Sequence, residues 1–246
     1  MLKKNKINIL YLLGVSMLIF LASCVDTNVQ PIPSKFDFRS EVKVVNFTDG
    51  SATFTLKSNQ NNGADVNFPK LALGDESPAS GQTFQDIPSG AKDLIISSGG
   101  ASFTAKFVAD TDRKMRLFVF GDATNGYTIV KSVQRYVWQT KSSKNNSALF
   151  PVDSAEVSFI NGSPDATVSG IEVAGGGLDT SITLGTLKTG DGHGYMKFKK
   201  GSYTVNVISG SDTLNTFSLT LASQERKTAA VYDTKANIKS KVFIDD

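Results

Sequence analysis

The chain of 246 residues contains one cysteine, one histidine and one tryptophan. A lone cysteine cannot close an internal disulfide, so stability has to come from ordinary apolar cores. One histidine with no second thiol leaves zinc only carboxylates and water, which excludes the usual zinc ligand sets. Surplus charge is also missing. Of the 26 Lys and Arg, three (Lys3, Lys4, Lys6) lie in the first 23 residues, which leaves 23 against 23 Asp and Glu. That balance removes any bulk-charge argument for nucleic-acid binding. From residue 40 onward no window of 11 or more residues carries a helical apolar stripe.

What is present begins with the place of that cysteine. Lys3, Lys4 and Lys6 are followed by an uncharged, mostly apolar run from Ile7 to Ala22, and Ala22 and Ser23 then precede Cys24. Basic start, apolar run and small residues are the order of an export signal. The run has 16 residues, short of the roughly 20 that a spanning helix needs. Leu21-Ala22-Ser23-Cys24 resembles the lipobox of bacterial lipoproteins. That resemblance implies cleavage before Cys24, diacylglycerol on its thiol and acylation of the new amino terminus, so the membrane is one expected partner. A catalytic thiol is the competing reading, but it would need a positioned base. Residues 24–38, with Pro31 and Pro33 and no apolar periodicity, read as a lipidated tether. Val25-Asp26 does not set Asp directly after the cysteine, which by resemblance to Gram-negative sorting rules points to the outer membrane.

The rest reads as short strands. Tyr203, Val205 and Val207 alternate with Thr204 and Asn206; Phe103, Ala105 and Phe107 alternate with Thr104 and Lys106; Phe217, Leu219 and Leu221 alternate with Ser218 and Thr220. Alternation places one strand face on a core and the other in water. The polar stretch 141–153 divides the chain, and the two parts repeat. VKVVN at 42–46 matches VSFIN at 157–161, and SFTAKFVADTDRKMRLFVFGD at 102–122 matches TFSLTLASQERKTAAVYDT at 216–234. The expected fold is all-β: a signal peptide 1–23, the tether, a diverged β-sandwich 39–140, a linker 141–153 and a second β-sandwich 154–246. A single larger barrel is the alternative. VSFINGSPDA, GHGYMKFKKGSYTVNV and SLTLASQERKTAAVYD, within about 155–235, resemble the family called domain of unknown function 4397. The resemblance implies tandem immunoglobulin-like extracellular sandwiches and supplies no activity, cofactor or catalytic residue.

Motifs for chemistry are few. His193 lies among Gly190, Gly192 and Gly194 without a nucleophile elbow, and reads as a solvated turn residue. Asp110-Thr111-Asp112 and Ser163-Pro164-Asp165 offer oxygen atoms, but no calcium-loop spacing, so turn capping is the simpler reading. The five glutamates, Glu41, Glu76, Glu156, Glu172 and Glu225, stand in no motif. Gly175-Gly176-Gly177 lacks the Lys-Ser/Thr of a phosphate loop and reads as a strand connection. Tyr127, Tyr136 and Trp138 form the ligand-binding candidate, as a stacking platform or protein hot spot, with burial in the core as the competing reading. These observations predict no metal, no cofactor and no catalytic residue. They point to a non-catalytic envelope lipoprotein that binds a protein or glycan. The alternatives are a structural spacer or assembly subunit, and a hydrolase with an unrecognised carboxylate site.

Overall fold

A computed structural model describes residues 38–58, 64–134, 153–178 and 182–245. In the first part these form β1 (Arg39–Thr48), β2 (Ala52–Leu56), β3 (Val66–Leu71), β4 (Glu76–Ser77), β5 (Gln85–Pro88), β6 (Gly90–Ser98), β7 (Ala101–Ala109), β8 (Lys114–Asp122) and β9 (Gly126–Val133). The second part has β10 (Ser154–Gly162), β11 (Gly170–Gly175), β12 (Ile182–Leu184), β13 (Met196–Lys199), β14 (Gly201–Ser209), β15 (Asp212–Leu221), β16 (Arg226–Tyr232) and β17 (Lys239–Ile244). The helical content of the described residues is one 3₁₀ turn at Lys235–Asn237.

The described residues make four sheets. Sheet I has the order β3-β2-β6-β7, and sheet II is β4-β1-β8-β9 with β5 also against β1. Sheet III is β13-β10-β16-β17, and sheet IV is β12-β11-β14-β15. The repeat read from the sequence is therefore a repeat of topology. In each part the first strand pairs in parallel with the penultimate one, β1 with β8 and β10 with β16.

Phe54, Leu56, Leu94 and Ile96 of sheet I pack against Val42, Val44, Leu117 and Val119 of sheet II. Val173, Val205 and Leu219 of sheet IV pack against Val157, Phe159 and Val231 of sheet III. Each part is thus a sandwich. Sheets I and IV keep the alternation expected from the sequence: in β7, Ser102, Thr104, Lys106 and Val108 face solvent. The central strands do not. In β1, β8, β10 and β16 the buried residues form an unbroken central run, so both faces are covered there. The reason is a third core. Val45, Phe47, Phe118 and Phe120 on the outer face of sheet II meet Ile160, Ala230 and Phe243 of sheet III. The layers run I-II-III-IV, and Phe38–Asp246 forms one compact unit. Each buried Phe in that middle layer contributes roughly 1.5–3 kcal/mol of burial free energy.

The fit across the middle layer pairs large with small. Phe47 stacks on Phe118, Phe120 and Tyr232 with ring centroids 5.9, 5.5 and 4.9 Å away. Tyr232 comes from sheet III, which also sets the side-chain-free Gly162 against Phe120 and Phe47. Away from the apolar zone the same interface turns polar. Arg116 of β8 donates to Glu76 (3.1 Å) and to Asp245, and all three side chains are at least 94% buried. Asp245 also accepts from Tyr195 Oη (2.8 Å) and Thr228 Oγ1 (2.6 Å), and Ser132 shares a hydrogen bond with Tyr195. The Arg226 guanidinium lies 3.8 Å from the centre of the Tyr195 ring. Buried charges are tolerable here because each has a partner.

Candidate functional site

Strand direction decides where loops gather. β1 and β8 are parallel, as are β10 and β16, and the ends of both pairs meet: Gly162 touches Phe120, and Gly74 touches Tyr232. All four central strands therefore run the same way. Ten residues of β1 span about 33 Å, so the loops after these strands lie that far from Phe38. At the Phe38 end, Ser89 N donates to Phe38 O (2.8 Å) and Asp112 N to Arg39 O (2.8 Å). The opposite end carries the loops after β1, β8, β10 and β16, joined by the loop before Gly192. Loops at the end of a rigid scaffold are where binding residues concentrate.

One buried amide in each half pins these loops. Asn161, fully buried, donates from Nδ2 to Ala166 O (2.8 Å) and Leu187 O (3.0 Å), and its Oδ1 accepts from Ser163 N (3.0 Å). Asn46 does the same for Gly50 O (2.7 Å), Leu71 O (3.0 Å) and Thr48 N (2.9 Å). The backbone repeats the match, with Gly190 N on Asn161 O and Gly74 N on Asn46 O, both 2.7 Å. Sequence reasoning passed over both residues. The signal was there: VKVVN and VSFIN are the matched strands, and each ends its apolar run in Asn.

Between the halves the loops enclose a recess of about 200 Å³, lined by Phe120, Asp122, Asn125 and Thr128 on one side and Pro164 and Thr189 on the other. Asp122 accepts from Asn125 Nδ2 (2.8 Å), Asn125 N (2.6 Å) and Thr124 N (2.7 Å), and the Asn125 bonds hold its carboxyl below the usual range. Asp165 accepts from Lys235 N (2.6 Å) and Ser163 Oγ (3.2 Å), and Thr189 Oγ1 donates to Ser163 O (2.7 Å). Asp122 caps its own turn, whereas Asp165 ties its loop to the turn at Lys235. The recess offers hydroxyl and amide groups on an ordered frame, which suits hydrogen-bonded recognition.

The other candidates are scattered. Asp110-Thr111-Asp112 lies at the Phe38 end, where Asp110 binds Lys131 (2.6 Å). Tyr127 packs edge-on against Phe103 at 4.9 Å beside the first core, and burial pushes its phenol up. Tyr136, Trp138 and Cys24 lie outside the described residues, as do most of the tether and linker. His193 is half-buried: its ring contact, Nε2 3.2 Å from Gly185 O, is exposed, while its backbone N–H donates to Phe159 O (2.8 Å) and its carbonyl accepts from Ser158 Oγ (2.6 Å). The loop is stitched to β10, and glycine spacing alone could not show that. Gly175–Gly177 do connect strands; a Cβ on Gly176 would fall 1.9 Å from the Tyr203 ring.

Each glutamate has a partner: Glu41 with Lys114, Glu76 with Arg116, Glu156 with Arg226, Glu225 with Lys227, and Glu172 with Asn206. Among the described residues no group of three or more His, Cys, Asp and Glu side chains could hold a metal ion, and no helix is long and apolar enough to cross a membrane.

No family model and no curated protein matches the chain. Among solved structures it is similar to a proposed cell adhesion protein from Bacteroides uniformis, at 8% identity and a TM-score of 0.23, over 85% of this chain and 98% of that one. It is similar to another from Bacteroides fragilis at 10% identity, with the same coverage and score. At those values no functional property passes from them to this chain. What the described residues establish is an all-β, sandwich-type fold.

Proposed function

We propose that this chain is a non-catalytic lipoprotein of the bacterial cell envelope, held in the outer membrane through Cys24, that binds a protein or glycan partner with the loop tip opposite Phe38. The observation that carries the reading is the common direction of the four central strands. It gathers loops of both halves at the end farthest from Phe38 and leaves a recess of mixed polar and apolar lining between them. Turn-capping acids and partnered glutamates support binding over hydrolysis, because neither presents a free carboxylate pair of the kind glycoside cleavage uses. The lipobox and the domain of unknown function 4397 resemblance belong to the same proposal.

A spacer role is the second reading, favoured by one observation. The outer face of sheet IV is a ladder of small polar residues, with Thr204 opposite Ser218 and Asn206 opposite Thr216, and the shared middle core makes the junction stiff.

A pull-down from intact cells with a surface-protease control tests both. Thr189→Lys and Asn125→Lys, which place long cations at the recess, should abolish capture of the partner while the protein stays folded, at a small cost in melting temperature for the hydrogen bonds they remove. Capture that survives both would move the site away from the tip; no capture by the unaltered chain would favour the spacer. Cys24→Ser should release the protein from washed membranes, and retention after high salt would sink the lipid anchor.

A further inference from the structure

Exposed sheet edges carry unpaired backbone groups, and natural proteins blunt them with lysine, proline or brevity. β4, β5, β12 and β13 have four residues or fewer. The longer edges carry lysine within them: Lys70 in β3, Lys106 in β7, Lys131 in β9, Lys241 in β17. β15 is different. It is ten residues long, its single charge is Asp212 at the first position, and Thr213–Leu221 has neither charge nor proline.

Its position heightens the contrast with β7, the matching strand of the first half. Lys131 Nζ donates to Val108 O at 3.1 Å in the first half, and Lys227 Nζ to Thr220 O at 2.6 Å in the second. The outward lysine of β7, Lys106, corresponds to Ser218 in β15. The second half has no lysine within this edge strand, where the first half has Lys106. The Lys227 contact also fixes which groups point outward. Thr220 O faces away from β14, so by the two-residue repeat of an antiparallel ladder the N–H and C=O of Ser218 and Thr216 do as well. Asn215 is tied to Ile238 O (3.2 Å), so the open stretch runs from Thr216 to Leu219.

We infer that β15 is an interaction edge and that its partner is β15 of a second copy of this chain, paired antiparallel about a two-fold axis. With the axis at Phe217, Thr216 of one copy meets Ser218 of the other, and both have outward backbone groups. Hydroxyl faces hydroxyl on the outer face, a favourable cross-strand pair, and no like charges meet. The same operation centred on Lys106 of β7 would set Lys106 against Lys106. The pairing makes one continuous sheet from the two copies of sheet IV, an isologous contact that closes at a dimer. It leaves the recess at the loop tip untouched.

Analytical ultracentrifugation of the chain from residue 24 on, carrying Cys24→Ser, tests this. The expected result is a monomer–dimer equilibrium. Ser218→Lys should weaken the dimer about tenfold or more by supplying the lysine this edge lacks, with melting of the monomer unchanged. Thr204→Lys, on the same face but one strand inward, should leave the dimer intact. A chain that stays monomeric at every concentration, a Ser218→Lys dimer as tight as before, or equal weakening by both substitutions would each overturn the inference.

Discussion

The Phe120 ring occupies the space a side chain at Gly162 would need: a Cβ there would lie 2.5 Å from Phe120 Cε1 and 3.2 Å from Phe47 Cδ2. Gly162 closes β10 of the second half, and both rings belong to the first. The two sandwiches therefore meet by shape, through a position whose absence of a side chain is the fit.

Gly162→Ala should destabilise the whole unit by about 1–3 kcal/mol, the usual range for overpacking a filled core. Phe120→Leu should recover part of that loss in the double variant, because the offending ring is shortened. Urea denaturation of the two single variants and the double one measures the coupling. Strict additivity would mean that the two residues do not meet.

Arg116→Ala should cost about 3–5 kcal/mol, because it strands the buried carboxylates of Glu76 and Asp245. Replacing the charged group by methionine together with Glu76→Gln and Asp245→Asn should cost much less. Chemical denaturation separates a paired network from a passive filler; an Arg116→Ala protein as stable as the parent would contradict the geometry.

Asn161→Ala and Asn46→Ala should each cost about 1–3 kcal/mol, since each removes the partner of buried backbone groups. Loss of Asn161 should also loosen the loop around Ala166 and Leu187. Hydrogen exchange should show faster exchange there, and loops left fully protected would rule out the pinning role.

Alkaline stability should depend on Tyr195. Burial, then the neighbouring Asp245 carboxylate, pushes its phenol above the ordinary value. The folded state holds that proton more tightly, so the contribution is full below about pH 10, the unfolded value, and is lost as pH rises beyond it. Tyr195→Phe should flatten the alkaline limb of a pH–stability curve while lowering the plateau. At the acid end, Lys239 holds the Asp233 carboxyl below its usual range. That contribution is present above about pH 4 and fades as pH falls. Asp233→Asn should therefore leave a shallower acid limb, and an unchanged limb would remove Asp233 from the account.

Some of this molecule could be read without coordinates, because the rule that governs it is local. From Phe103 to Phe107 in β7 and from Phe217 to Leu221 in β15 the apolar residues fall at every second position, so those stretches declare which face is wet. The matched strands and turns of the two halves likewise declare a repeated sheet order. Even the double burial of the central strands left a trace, in the unbroken apolar run LFVF of β8. What no local rule contains is the use made of the outer faces of sheets II and III. Phe47 and Phe120 would read equally well as the core of an isolated sandwich, and Gly162 as a turn residue. Only the tertiary structure brings them together, since their contact depends on two sheets presenting large against small across more than 40 residues of sequence. The same holds for Asp245, whose partner Arg116 lies 129 residues away. It holds also for the loop tip, because a recess shared by two halves exists only after their strands have been set in one direction by that packing.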